Sequence, residues 1–401
     1  MLTVEEAQAK VMAEIVPGEA EVVPLADAHG RVLREDLVAR FDAPEADNSA
    51  MDGYAVRADD IAGAPVTLSV LGDVAAGHLA QRAVEAGTAL RIMTGAYVPE
   101  GADTVVQIEL TDGGTETVRI DKALARGANV RRRGEDMRAG QTVVKSGRRI
   151  GAAEMAMLAA LQKTTVRVGR RPAVAIVSTG DELIGVDEPR APGKIVNTNA
   201  HLLAALVRET GAEARVLGIV RDNREATIAA FDDALQSDFV LSSGGVSVGA
   251  YDFVKEALDV LGAEQKFWRV AMKPGKPVVL SRARDRVVFG LPGNPVSCFV
   301  SFHLFVAPAL RKAMGQEEHL FPAAVRARLA SPLRSAGDRR VYFRVRLTSE
   351  DGELHAHPLA TQGSGSLTSM IGANGLAIVN EGVEGVEAGA IVPVLVIGEI
   401  A

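Results

Sequence analysis

The sequence predicts an α/β protein with added β-rich parts, and three observations carry that expectation. A chain of 401 residues exceeds the roughly 150 residues of one ordinary domain, so several cores are expected. Within 171–322, apolar runs at 173–177, 216–220, 239–241 and 287–289 alternate with helix-length segments at about 199–210, 223–236, 252–262 and 295–314. This alternation predicts a parallel sheet covered by helices on both faces. Two other regions, 47–135 and 323–401, read instead as short strands separated by Gly and Asp, which suits small β units.

Taken in order, the chain opens with a predicted helix. Thr3 and Glu6 have capping-box spacing, Val4, Ala7, Val11 and Ile15 share one face, and Pro17-Gly18 stops it. Residues 21–46 read as a short strand and an extended crossing segment ending in a turn at 44–48. Strands are expected at 66–71, 89–93, 104–109 and 117–120 in the next stretch. Extended pieces at 141–144 and 165–168 flank a helix at about 152–161. After the β/α section, strands at 341–347, 376–379 and 391–396 predict a small barrel or sandwich. The expected domains are therefore 21–46 with 136–170 as an extended linking domain, 47–135 as an inserted β-rich domain, 1–20 with 171–322 as the α/β domain, and 323–401 as a C-terminal β domain. There is no solenoid repeat and no low-complexity linker.

Composition excludes several classes. Apolar residues at 47% and charged residues at 24% exclude wholesale disorder, and 4% aromatics argue against a base-stacking platform. The net charge of −7 disfavours general binding to duplex nucleic acid. Cys298 is the single cysteine and there are seven scattered His, so neither a disulfide nor a thiolate metal site is expected. The start, MLTVEEAQAK, lacks a basic segment followed by an apolar one, and apolar stretches such as 299–310 are short for a membrane span and carry His303. A cytoplasmic protein without membrane association is expected.

Parallel sheets bind ligands in loops at the carboxyl ends of their strands, and chemistry-bearing strings sit there. Ser242, Ser243, Gly244, Gly245, Ser247 and Gly249 lie in SSGGVSVG, after a strand and before a helix, where backbone amides can face an anion; a tight packed turn would give the same string. Pro292, Gly293, Asn294 and Pro295 form a second rigid turn before a helix. Between them, Arg269 and the MKPGKP string present Lys273 and Lys276 to a phosphate or oxyanion. Glu182, Asp222 and Asp252 follow strand ends or the glycine loop, as suits Mg²⁺ bound through one or two carboxylates plus phosphate, or helix capping. In the inserted part, Asp52, Thr94 and Arg131 to Asp136 add a second polar set. Its three Arg could form a structural ion network or an oxyanion pocket. Cys298, inside an apolar helical pattern, reads as a packed thiol.

Eight strings in one order, NSAMDGYAVR (48–57), IMTGA (92–96), PEGADTVV (99–106), RRRGED (131–136), VSTGDEL (177–183), SSGGVSVG (242–249), KPGKP (273–277) and GLPGNPVS (290–297), resemble the MoeA family of molybdopterin molybdenumtransferases, to which the gephyrin E domain is related. MogA-type adenylyltransferases and CinA-like proteins share only the β/α section. The resemblance implies an elongated four-domain protomer, a MogA-like α/β domain that binds molybdopterin, and a homodimer with its cleft between subunits. It also implies insertion of molybdate into adenylated molybdopterin with Mg²⁺ and release of AMP.

By the same resemblance, Asp52, Thr94, Asp136, Glu182, Asp222, Asp252, Lys273 and Lys276 occupy catalytic positions, with Glu182, Asp222 and Asp252 as Mg²⁺ candidates. Arg131, Arg269, Arg344 and Ser364 join the two glycine turns in substrate binding. Arg269 stands where Lys is common, and Ala250-Tyr251-Asp252 replaces a frequent Glu-Ala-Asp. Transient partners implied are a MogA-type adenylyltransferase and molybdoenzymes. The alternatives are an ATP-dependent molybdopterin adenylyltransferase and a gephyrin-like scaffold without activity.

Overall fold

A computed structural model describes residues 1–244 and 253–400. The chain divides into two compact units, one of residues 1–35, 146–156 and 164–401 and the other of 36–145 and 157–163.

In the larger unit, a six-stranded sheet runs in the order Glu213–Val220, Ala173–Thr179, Phe239–Ser243, Arg286–Leu291, Val279–Ala283, Glu264–Trp268. The first four are the strands expected from the sequence and are mutually parallel. Three of them, Ala173–Thr179, Phe239–Ser243 and Arg286–Leu291, read as apolar runs because both faces are covered, whereas Glu213–Val220 lies at the sheet edge with Glu213, Arg215 and Val216 exposed. Val174 and Ile176 point into one core with the Val4–Glu14, Thr198–Thr210 and Pro295–Ser301 helices, while Ala175 and Val177 point into a second with Arg224–Ala234 and Phe253–Val260.

The last two strands correct the all-parallel expectation, since both are antiparallel to their neighbours. Arg284 and Asp285, at φ 47° and 63°, make a two-residue hairpin turn of the kind that normally uses Asn-Gly. Chain order reverses between Ala173–Thr179 and Phe239–Ser243, which opens a crevice at their carboxyl ends.

The N-terminal helix carries its capping box in full: Glu6 N–H donates to Thr3 Oγ1 at 3.1 Å and Thr3 N–H to Glu6 Oε2 at 2.8 Å. The expected helix at 295–314 is one apolar run in three segments, Pro295–Ser301, a π-helical Phe302–Val306 and Ala307–Ala313. The run Pro295–Ala313 is long and apolar enough to cross a bilayer, contrary to the expectation that such stretches are too short, yet most of it is buried against the sheet.

The C-terminal strands close into a five-stranded barrel, Arg340–Glu350 to Glu353–Pro358 to Ala324–Leu329 to Ile391–Val396 to Gly375–Val379 and back to Arg340–Glu350. Its interior holds Leu329, Val345, Leu347, Ala377 and Val394. Tyr342 and Leu376 face outward into the α/β core and fix the barrel against it.

The smaller unit centres on a five-stranded mixed sheet ordered Thr104–Gln107, Gly53–Val56, Thr88–Ile92, Val66–Val74, Thr117–Ile120. Gly53 is required there by close approach rather than by backbone angle. A Cβ on it would stand 1.9 Å from the Val106 carbonyl oxygen of the paired strand.

Candidate functional site

The switch-point crevice has a volume of about 480 Å³ and is lined by Thr179, Glu182, Ser243, Gly244, Gly293, Asn294 and Pro295. These come from three strand ends, as the sequence predicts. Gly244 has φ +97°, and a Cβ there would meet the Thr179 carbonyl oxygen at 3.0 Å. Asn294 caps the Pro295–Ser301 helix, with Pro295 in its first turn, and Pro292 is buried behind the turn. Ser242 is fully buried on the opposite face from Ser243. Gly245, Ser247, Gly249 and Asp252 lie outside the described residues.

Glu182 faces the crevice, but Asp222 does not line it. Asp181 and Asp222 bind each other's turns reciprocally: Asp222 N–H donates to Asp181 Oδ1 at 3.2 Å and Asp181 N–H to Asp222 Oδ2 at 3.4 Å. Sequence reasoning missed Arg190, Lys194 and Asn199, which share the crevice wall. A two-residue parallel pairing of Leu183–Ile184 with Ile195–Val196 folds that loop back, and Lys194 Nζ donates to the Asp181 carbonyl at 2.7 Å.

A second cleft, of about 490 Å³, gathers Lys273, Lys276, Ser364 and Arg344 with Arg334, Arg339 and Ser297, and among the described residues no carboxylate lines it. Arg334 and Arg339 are paired with Glu387 and Asp338. Among the described residues, no ion pair engages Lys273, Lys276 or Arg344. The Lys276 carbonyl accepts from Val270 N–H at 3.0 Å and Val278 N–H at 3.1 Å, which fixes the basic loop.

Arg344 is only 1% exposed. Its Nε donates to Ser369 Oγ at 3.2 Å, and its Nη2 donates to the Thr361 and Gly363 carbonyls at 3.2 and 3.3 Å. Burial without a counter-charge pushes its pKa down to about 10. Arg269 does not reach this cleft; it lies at φ 74° with its guanidinium 3.9 Å from the Trp268 ring centre.

The two clefts share a wall. Gln362, Gly363 and Ser364 face the basic cleft, whereas Gly365 and Leu367 face the crevice. The same division splits the helix start, with Ser297 on one side and Asn294 and Pro295 on the other. Val296 N–H donates to the Ser364 carbonyl at 3.1 Å and joins the barrel loop to that helix start. Among the described residues, no three His, Cys, Asp or Glu side chains cluster as a metal site. Cys298 is fully buried and burial pushes its thiol up to about 12, which keeps it protonated.

In the smaller unit, Asp52 Oδ1 accepts from Thr94 N–H at 2.7 Å and Thr94 Oγ1–H at 2.8 Å. The Thr94 backbone N–H, followed by its hydroxyl, holds the Asp52 carboxyl below its ordinary range. The Arg run divides. Arg132 pairs with Asp47 and Arg133 with Asp42, both at 2.6 Å, so these two form a structural ion network. Arg131 is exposed on a short strand opposite Asn48 and takes no part in that network. Asp136 is exposed, and its N–H donates to the Ala43 carbonyl at 3.0 Å.

Comparison with known proteins follows this geometry along the whole chain. Residues 2–161 match the MoeA N-terminal region (domain I and II), residues 175–312 match the "probable molybdopterin binding domain", and residues 326–397 match the MoeA C-terminal region (domain IV). A molybdopterin molybdenumtransferase of Bacillus subtilis is 37% identical over 99% of this chain and 94% of its own, and one of Nostoc is 40% identical over 94% and 88%. The crystal structure of a molybdopterin biosynthesis MoeA protein from Pyrococcus horikoshii superposes with a TM-score of 0.85 at 32% identity, covering 99% of this chain and 100% of that one. The chain belongs to the MoeA family of molybdopterin molybdenumtransferases.

Proposed function

We propose that the protein inserts molybdate into adenylated molybdopterin and releases AMP, the final step of molybdenum cofactor formation, as a cytoplasmic Mg²⁺-dependent homodimer. The observation that carries this reading is the pair of clefts sharing one wall, one built from strand-end turns and the other lined by cations and, among the described residues, by no carboxylate. A pyrophosphate-linked nucleotide suits the first, because Gly244, Gly293 and the Asn294 turn allow close backbone approach. A tetrahedral oxyanion suits the second, where Lys273 and Lys276 supply ammonium donors, Arg344 a guanidinium held by three hydrogen bonds, and Ser364 a hydroxyl.

Mg²⁺ takes one or two protein carboxylates and completes its shell with phosphate oxygens and water. Glu182, which lines the crevice, suits that role, and Asp222, outside the crevice lining, and Asp252, outside the described residues, are the other two candidates. When bound, the ion would neutralise charge on the pyrophosphate and polarise its phosphorus. Within the smaller unit, Asp52 is a further acidic candidate, its carboxyl held below the ordinary range by the Thr94 N–H and hydroxyl.

No protein nucleophile is required. Molybdenum ends on the dithiolene sulfurs that the pterin itself brings, and soft sulfur suits the metal once its oxygens are displaced. The family motifs support a dimer and hand-over contacts with a MogA-type adenylyltransferase and with molybdoenzymes.

The test is product analysis. Purified protein given adenylated molybdopterin should release AMP only with both molybdate and Mg²⁺, and should sediment as two chains. ATP-dependent adenylation of free molybdopterin would overturn the proposal in favour of an adenylyltransferase.

A further inference from the structure

We propose that Asn199 orients the heterocycle bound in the crevice by accepting a hydrogen bond from an exocyclic amine, an inference that rests on the function proposed above. Asn199 lies in the first turn of the Thr198–Thr210 helix and is 6% exposed, yet it lines the crevice. Both Nδ2 hydrogens are used: one goes to Ser243 Oγ at 2.7 Å, the other to the Gly293 carbonyl at 2.7 Å. The amide thereby ties the two turns that frame the crevice. Its orientation is fixed, because a flipped amide would set oxygen against the Gly293 carbonyl oxygen.

Asn199 Oδ1 is left buried without a hydrogen-bond partner. A buried acceptor in that state is costly unless a donor arrives. The surrounding wall indicates which class of donor. Arg190 and Lys194 would meet phosphate oxygens, whereas Ile195 and Leu367, apolar yet 61% and 42% exposed, offer surfaces for a flat ring. An amine-bearing heterocycle satisfies Oδ1 and packs on those side chains together. Adenine and pterin both carry such an amine, and the ligand pairs below separate them.

The test is calorimetric titration of the full chain with AMP against purine 5′-monophosphate, which lacks the amine, and with 6-hydroxymethylpterin against 6-hydroxymethyllumazine, where oxygen replaces it. In the unaltered protein one amine-bearing ligand should bind about tenfold more tightly than its counterpart. The discriminated pair identifies the ring that Asn199 reads. Asn199→Ala should weaken both members of that pair and erase the ratio between them.

A purely structural Asn199 would shift both ligands equally and leave the ratio unchanged, which overturns the inference. So would equal affinities within both pairs in the unaltered protein, a comparison that needs no variant to fold. Failure of both AMP and the pterin to bind the unaltered protein would overturn the functional reading itself and this inference with it.

Discussion

Replacing Arg344 with Met separates what the guanidinium does for the fold from what it does for an anion. Its three hydrogen bonds are 3.2 to 3.3 Å long and all go to neutral oxygens. At ~0.5–1.5 kcal/mol each, their loss removes about 3 kcal/mol. Against this, Arg344→Met removes a buried cation without a counter-ion, whose desolvation costs on the order of several kcal/mol. The two effects oppose each other, so urea unfolding should shift by less than about 2 kcal/mol.

Oxyanion affinity has no such compensation. One charge-assisted hydrogen bond is worth ~1.5–3 kcal/mol, so molybdate should bind roughly 10- to 150-fold more weakly by calorimetry. Burial pushes the Arg344 pKa down to about 10, still well above neutrality, so the guanidinium keeps its charge and its desolvation cost at neutral pH. Unchanged molybdate affinity together with a collapse of stability in Arg344→Met would refute the reasoning and leave Arg344 a purely structural residue.

Three further outcomes follow from the same structure. Asp52→Asn keeps the acceptor that Thr94 engages at 2.7 and 2.8 Å, so circular dichroism should be unchanged while AMP release falls ~100-fold or more; full turnover would remove Asp52 from the site. His303 is buried beside Phe299 and Phe302 and burial, then Arg311, pushes its pKa down to about 4. The unfolded chain therefore takes up a proton first as pH falls from 6.5 to 4, and about 3 kcal/mol of stability should be lost across that window relative to His303→Leu; parallel urea midpoints for the two proteins would contradict this. Gly53→Ala drives a Cβ to 1.9 Å from a laddered carbonyl, whereas Gly63 has nothing within 4 Å of the same position. Gly53→Ala should cost about 3 kcal/mol or more and Gly63→Ala almost nothing, and equal melting curves would show that the strands can part.

Three of the four parallel strands were legible because burial on both faces makes them apolar runs, and only the apolar end of the exposed edge strand Glu213–Val220, at 216–220, showed. Their antiparallel neighbour Val279–Ala283 was not, since its turn uses Arg284 and Asp285 at positive φ, neither of which signals a hairpin. In the barrel, Arg326 and Arg328 interrupt Ala324–Leu329, and His355 and His357 do the same in Glu353–Pro358, so these strands were hidden while Arg340–Glu350 was partly visible. The crevice turns were legible because strand carboxyl ends in such a sheet converge on one edge. Asn199 and Lys194 were not, because they reach that edge only through the short pairing of Leu183–Ile184 with Ile195–Val196. Arg269 looked like a cleft residue from its neighbours in sequence, but its backbone turns it onto Trp268.

The central claim is that the cation-lined cleft receives the oxyanion while the crevice holds the nucleotide end of the same substrate. Its most direct test is AMP release as a function of molybdate concentration in the unaltered protein and in Lys273→Ala/Lys276→Ala. The account predicts that the double variant needs at least about tenfold more molybdate for half-maximal release while binding AMP itself with unchanged affinity. Release that is independent of molybdate, or a double variant that loses AMP binding but keeps its molybdate response, would contradict it.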